Sequence, residues 1–261
     1  MSESQGHHPD SLREFFQLKA EGLSSEDLET LKQVAVIESK EQLQGISDEV
    51  GKMNSNFFSI DAYAQVRALI DEYSELLGPD GIQDSSLKEY IRNLRDLLDR
   101  KNPIAPITNA HDGYVLVHSS NLKSLERLLT TKNDFAEVCV AASTLLGDKN
   151  SLFTSKSKEL QAGLVFSPAN ATDWFSKDVG SHTQQGKRVL EPRFEQYRCA
   201  DLKDAVSKQG DSRIEAWVDA RQHRPAAILL LDANQRQDVQ QLGKHYQLPV
   251  VFNSKFFEPS A

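Results

Sequence analysis

The sequence predicts an α+β protein, with an N-terminal all-helical bundle over residues 1–108 and a mixed α/β domain over residues 109–261. Three observations carry this. Apolar residues recur at three- and four-residue intervals from Leu12 to Leu98, the spacing that places them on one face of a helix. Lys101 to Gly113, KNPIAPITNAHDG, then breaks that period with two prolines and a polar cluster. Beyond the break come short apolar runs ending in polar residues, at Tyr114–Val117, Gly163–Phe166 and Ala226–Leu231, a pattern suited to strands buried on both faces.

In chain order, His7 and His8 stand in a polar tail that is expected to fray. Leu12, Phe15, Phe16 and Leu18 give a first helix, which Gly22 ends. Ser24-Ser25 with Asp27 resembles a capping arrangement for a second helix carrying Leu28, Leu31, Val34 and Ile37. A third is expected from Ser39 to Met53, weakened by Gly45 and Gly51. The strongest period runs from Ser59 to Leu77 and stops at Gly78-Pro79-Asp80-Gly81; a fifth helix carries Leu87, Tyr90, Ile91, Leu94, Leu97 and Leu98. Glu72 and Glu75 lack an ExxH partner, so they read as a solvated face rather than a metal site.

After the break, Tyr114–Val117 ends at His118-Ser119-Ser120 and leads into a helix with Leu122, Leu125, Leu128 and Leu129. Phe135 to Ala142, FAEVCVAA, fits a strand or a helix. The run Gly163–Phe166 ends at Pro168, and Ala171, Trp174 and Phe175 are expected to start a helix behind it. Residues 179–193 read as a mobile loop. A helix around Gln235–Tyr246 and a strand Leu248–Phe252 close the chain, and ILLLD-helix-LPVVF reads as a parallel strand-helix-strand unit.

Net charge is −8, and it is uneven: residues 1–108 hold 11 basic against 20 acidic side chains, and residues 109–261 hold 19 against 18. An acidic surface repels phosphate backbones, which argues against general nucleic-acid binding. Cys139 and Cys199 stand 60 residues apart without CxxC or HxxxH spacing, so neither a disulfide framework nor a zinc site is indicated. No run reaches the ~18 apolar residues of a membrane span, and MSESQGHHPD lacks the basic-then-apolar start of a signal peptide. A soluble protein is expected.

The stretch around which chemistry is expected is Arg213–Leu231, RIEAWVDARQHRPAAILLL, in which Glu215 opens a strand beside the core. A carboxylate there must be hydrated in a cleft, paired or protonated, because desolvating the charged form without a partner is costly. Pairing with Arg213, Arg221 or Arg224 is the plain structural option. His118 has a plain option too, as a histidine capping nearby backbone groups, and Phe166 and Trp174 as core residues. Ser181-His182-Thr183 with Glu191 lacks the GxSxG elbow of a hydrolase.

Three blocks resemble the ADP-ribosyltransferase fold in its diphtheria-toxin and poly(ADP-ribose) polymerase branch. YVLVHSSNLKSLERLL resembles its opening strand, turn and helix; GLVFSPANATDWFS resembles its second block; RIEAWVDARQHRPAAILLL resembles its third, where the catalytic Glu opens a strand. The order matches, with gaps of 48 residues from His118 to Phe166 and 49 from Phe166 to Glu215. The resemblance implies NAD as substrate and no metal. It implies that His118 hydrogen-bonds the NAD ribose, that Ser119 and Ser120 line the nicotinamide pocket, and that Phe166 or Trp174 stacks on nicotinamide. Glu215 would orient the ribose 2′-hydroxyl and stabilise the cationic charge that develops as nicotinamide leaves. Phe166 stands where that branch usually has Tyr, and Ser119 where Gly is common.

The enzyme reading is therefore transfer of ADP-ribose from NAD to a protein target, in the manner of a bacterial toxin or secreted effector, cytoplasmic or delivered to a host cytosol. The helical bundle would serve as adaptor. The alternative is a non-catalytic interaction protein with a silent α/β domain, and a third reading is a small-molecule-binding or hydrolytic domain built on the terminal strand-helix-strand unit.

Overall fold

The computed structural model describes Arg13 and residues 24–77, 82–130, 137–144, 160–184, 187–210 and 213–253. It is an α+β fold whose chain divides into two compact units, one of residues 1–54 and 62–102, the other of residues 55–61 and 103–261. The helix expected at Leu12–Leu18 and the turn at Gly78–Gly81 lie outside the described residues, Arg13 excepted.

In the first unit, helix α1 spans Ser25–Lys52, α2 spans Ile60–Leu76 and α3 spans Ser85–Lys101. The two helices expected on either side of Glu38 are one. No glycine or proline interrupts the period there, and Ser39, buried beside Ala35 and Val36, keeps the same stripe turned inward. Ser24 caps α1 by accepting from the Asp27 amide, and Asp84 caps α3 by accepting from the Leu87 amide at 2.7 Å. The core joins Leu43, Ile46 and Val50 to Ile70 and Tyr73 and to Leu87, Ile91, Leu94 and Leu98. Beside it Asp99 takes hydrogen bonds from Tyr63 Oη at 2.8 Å and Arg67 Nη1 at 2.7 Å, and Asp71 pairs with Arg67 and Arg95. Among the described residues no helix is long and apolar enough to cross a membrane.

Among the described residues the second unit is built on a nine-stranded sheet. Its strands are β1 (Phe57–Ser59), β2 (Tyr114–Ser120), β3 (Glu137–Thr144), β4 (Ala162–Phe166), β5 (Ala171–Phe175), β8 (Arg198–Cys199), β9 (Glu215–Asp219), β10 (Ala227–Leu230) and β11 (Val250–Phe252). The spatial order is β1-β11-β10-β4-β2-β3-β9-β5-β8. β1, β11 and β10 are parallel, and every other pairing is antiparallel. Strands β6 (Ser181–Gln184) and β7 (Lys187–Leu190) form a separate hairpin where a loop was expected. Helices α4 (Ala105–Ala110), α5 (Leu122–Leu129), α6 (Leu202–Lys208) and α7 (Arg236–Tyr246) complete the unit.

The expected boundary at residue 108 moves in two places. The second unit begins at Pro103, and Ser55–Asp61 also belongs to it, because Phe57, Phe58 and Ser59 add a parallel strand to Val250, Val251 and Phe252. A second difference concerns Trp174 and Phe175, which extend a strand rather than start a helix. Thr, Trp and Phe suit a half-buried pleated surface, and β9 offers them an edge. At the register shift between Ala171 and Asp173, Thr172 Oγ1 donates to the Trp217 carbonyl at 3.1 Å.

Strand alternation sorts the sheet into two faces. Leu116, Val138, Val140, Leu164, Phe166, Trp174, Ala216, Val218, Ile228 and Leu230 share the main core with Leu125 of α5, Ala205 of α6 and Val239 of α7. The opposite face carries Val117, Ala141, Val165, Glu215, Phe175 and Trp217, in register across β4, β2, β3, β9 and β5.

Candidate functional site

The sheet opens between two of its central strands. β2 and β3 pair from Tyr114↔Thr144 to Val117↔Ala141 and then part. β2 stays with β4 through His118↔Leu164, Ser119↔Gly163 and Ser120↔Ala162, while β3 stays with β9 through Val140↔Ala216 and Cys139↔Trp217. The opening is therefore flanked by His118–Ser120 on one side and Glu137–Val140 on the other. Such a parting of strands in a sheet is a place where a ligand can reach backbone and side-chain groups that the ladder leaves free.

His118 turns its ring into this opening. The Ala142 amide donates to the Ile214 carbonyl toward β9, so by alternation the backbone groups of Cys139 point toward β2, where the departed strand no longer meets them. His118 Nδ1, 2.7 Å from the Cys139 carbonyl oxygen, supplies the missing bond. A carbonyl only accepts, so Nδ1 carries the hydrogen. Burial holds the imidazole below its usual range, the bond to Cys139 opposes this, and the Arg188 guanidinium adds to the lowering. The ring is thus neutral at pH 7, and Nε2 is left as a hydrogen-bond acceptor.

Glu215 stands one strand beyond β3. It is paired with Ala141, in the same cross-strand row as Val117, and two strand spacings put its backbone roughly 10 Å from that of Val117. It is 7% exposed, and among the described residues no cation pairs with it: Arg213 pairs with Asp178, Arg221 with Asp219, and Arg224 Nη2 donates to the Tyr246 carbonyl. Two N–H donors hold it instead. Trp217 Nε1 donates to Oε1 at 3.0 Å and the Val179 amide donates to Oε2 at 3.2 Å. The Trp217 bond follows from alternation, since residues two apart in a strand share a face.

Cys139 lies between the two groups. Burial, with the nearby Glu215 carboxylate adding to it, pushes its thiol up to about 12, so it is protonated at neutral pH and is no nucleophile. Ser181 Oγ is 4.0 Å from the Cys139 sulfur and accepts from Arg188 Nη1 at 2.8 Å. Ser119 Oγ is buried with no hydrogen-bond partner among the described residues, on the Val117 side of the sheet. Gly163 makes room there, since a Cβ on it would stand 2.6 Å from Val117 Cγ1 and 3.3 Å from Ser119 Oγ.

His118, Ser119 and Ser120 thus flank the opening; His118, paired with Leu164, leaves β2 on the main-core side and turns into the gap, whereas Ser119 lies on the Glu215 face. Phe166 and Trp174 are not brought to that face. Phe166 is 0% exposed, paired with Leu116, and Trp174 is paired with Ala216; both rings are buried in the main core, with the sheet between them and Glu215. The stacking surface expected of these two residues is corrected accordingly: β4 presents Val165, not Phe166, beside Val117, and the aromatic residues on the Glu215 face are Phe175 and Trp217, 4.9 Å apart. No local signal marks Cys139, Val179 and Arg188 as part of the site, because FAEVCVAA fits a strand or a helix and residues 179–193 read as loop. His182 of the unsupported triad is exposed on the β6–β7 hairpin. Among the described residues no group of three or more His, Cys, Asp or Glu could hold a metal ion.

Two grooves elsewhere, of about 490 Å³ beside Lys123, Glu126 and His245 and about 420 Å³ beside Arg221, Arg224 and Tyr246, are lined by neither His118 nor Glu215. Comparison with protein-family models, with curated proteins and with solved structures found no match.

Proposed function

We propose that the opening between β2 and β3 receives NAD and that the chain transfers ADP-ribose from NAD to a protein target. The observation that carries this reading is the neutral His118, whose Nδ1 hydrogen is spent on the Cys139 carbonyl and whose Nε2 is left to accept from a ribose hydroxyl, with a positioned carboxylate one strand beyond. Cleavage of the N-glycosidic bond sends its electron pair to nicotinamide and leaves positive charge at the ribose carbon. A nucleophile of the target then attacks that carbon and loses its proton. Glu215, oriented by the Trp217 indole through Oε1, would stabilise the cationic carbon, and Oε2 would take a ribose hydroxyl in place of the Val179 amide. In a site from which water is excluded, such a fixed carboxylate acts far more strongly than a screened one.

The test is incubation of the purified chain with labelled NAD and a cell lysate, comparing wild type with Glu215→Gln. Labelled protein or released nicotinamide, lost in the variant while it stays folded, is the expected result. Equal signal from both proteins removes Glu215 from the chemistry. One observation favours the second reading, a catalytically silent binding domain: Glu215 is buried and both its oxygens already serve the fold. That reading predicts no NAD turnover with any lysate.

A further inference from the structure

We infer that residues 179–184 and 187–191 form a strap that closes over the Glu215 carboxylate and lifts as a unit, so that the structure is the inhibited state of the site. The inference rests on the reading of Glu215 as the group that acts on NAD. Its first support is direct occupation: the Val179 amide donates to Glu215 Oε2, one of the two oxygens that a ribose hydroxyl would need. Its second is how the strap is fastened. Arg188 donates from its backbone N–H to Glu137 Oε2 at 2.8 Å, from Nε to the Glu137 carbonyl at 3.3 Å, and from Nη1 to Ser181 Oγ at 2.8 Å. One side chain of the strap and one of β3 therefore hold both strands of the hairpin. Leu190 adds an apolar contact, packing with Phe175 and Trp217.

The third support is what the strap lacks. Among the described residues β6 and β7 pair with each other and share no ladder with the nine-stranded sheet, so lifting them breaks side-chain bonds and the apolar contacts of Val179 and Leu190 rather than a row of backbone bonds. Segments held this way open at a small fraction of the cost of global unfolding. The base is shaped for it as well. The Glu191 amide donates to the Gly180 carbonyl at 3.0 Å and closes the loop into one piece. Gly180 sits so tightly there that a Cβ on it would stand 2.5 Å from the Phe194 ring and 2.7 Å from Glu191 Oε1. Arg188 also bears on the other half of the site, because its charge helps to keep His118 neutral.

The test pairs hydrogen exchange with nicotinamide release in the full chain, using Arg188→Ala and the milder Glu137→Gln. Loss of one or two charge-assisted hydrogen bonds should speed exchange across residues 176–184 by about tenfold in Arg188→Ala, and less in Glu137→Gln. Exchange in the β2–β4 ladder, unchanged, shows that both variants are folded. Nicotinamide release should rise in the same order, and adding Glu215→Gln should abolish the gain. Unaltered exchange across residues 176–184 in both variants overturns the strap. Faster exchange with falling nicotinamide release overturns its inhibitory role. Faster exchange in a protein that releases no nicotinamide in any form supports the strap as a moving element and overturns the transferase reading instead.

Discussion

Replacing Glu215 with alanine removes the acceptor for one buried donor, Trp217 Nε1 at 3.0 Å, and one half-buried donor, the Val179 amide at 3.2 Å. A buried donor left unpaired costs about 1–3 kcal/mol and a half-buried one about 1 kcal/mol or less, so the pair predicts a loss of about 1–4 kcal/mol, against a total stability of about 5–15 kcal/mol for a typical domain. Glu215→Gln keeps one acceptor oxygen and turns an amide N–H toward the other donor, for a loss of about 1–3 kcal/mol. The assay is urea unfolding followed by tryptophan fluorescence. The chain has two tryptophans, Trp174 and Trp217, and both belong to the sheet-containing unit, so the signal reports that unit alone. A double-mutant cycle with Trp217→Phe then isolates the indole bond, with an expected coupling of about 1 kcal/mol. A loss under about 0.5 kcal/mol for Glu215→Ala, the range of a surface substitution, would refute the reasoning. The size of the alanine effect also makes the glutamine variant the sound choice for any activity comparison.

Other outcomes follow from the same contacts. Because the folded pKa of His118 lies below its ordinary value near 6.5, the unfolded chain takes up that proton first. Its contribution is therefore complete above about pH 6.5 and is lost as pH falls below it; the urea midpoint of His118→Gln should fall less between pH 7 and pH 5 than that of wild type. Gly163→Ala drives a methyl into Val117 and should cost about 1–3 kcal/mol by the same fluorescence assay. Phe166→Tyr buries a hydroxyl in the main core, and a loss of about 1–3 kcal/mol with no gain in NAD turnover is expected; a gain would place that ring beside the substrate after all. Asp99→Asn weakens the part-exposed bonds from Tyr63 and Arg67 and should lower the thermal midpoint, read by circular dichroism at 222 nm, through a loss of about 1 kcal/mol.

Much of the fold could be read from local pattern. The strands Glu215–Asp219 and Ala227–Leu230, the parallel unit made with Val250–Phe252, and the stripe of Ile91, Leu94 and Leu98 all follow from period and composition. What could not be read was set by long-range pairing. Phe57–Ser59 is too short to announce itself and becomes a strand because β11 offers an edge. Trp174 and Phe175 follow a proline and a small-residue turn in a way that suits a helix, yet pairing with β9 and β8 holds them extended.

The site divides along the same line. Glu215 at the start of a strand and His118 near the end of another were legible, as was the plain role of His118 in capping a backbone group, now given a partner in the Cys139 carbonyl. Their environment was not. Which of Val165 and Phe166 faces Glu215 depends on the register of β4 against β2, and one residue of slip exchanges the two faces. Val179 and Arg188 reach the site through a hairpin whose closeness to β3 no local pattern encodes.

Nicotinamide release from NAD by the wild-type chain, His118→Gln and Glu215→Gln, each shown to be folded by its tryptophan fluorescence, tests the central claim most directly. The account predicts release by wild type and a fall of about a hundredfold or more in each variant, the scale on which removing one fixed stabilising group acts. No release above buffer by wild type, or equal release by wild type and Glu215→Gln, would contradict it.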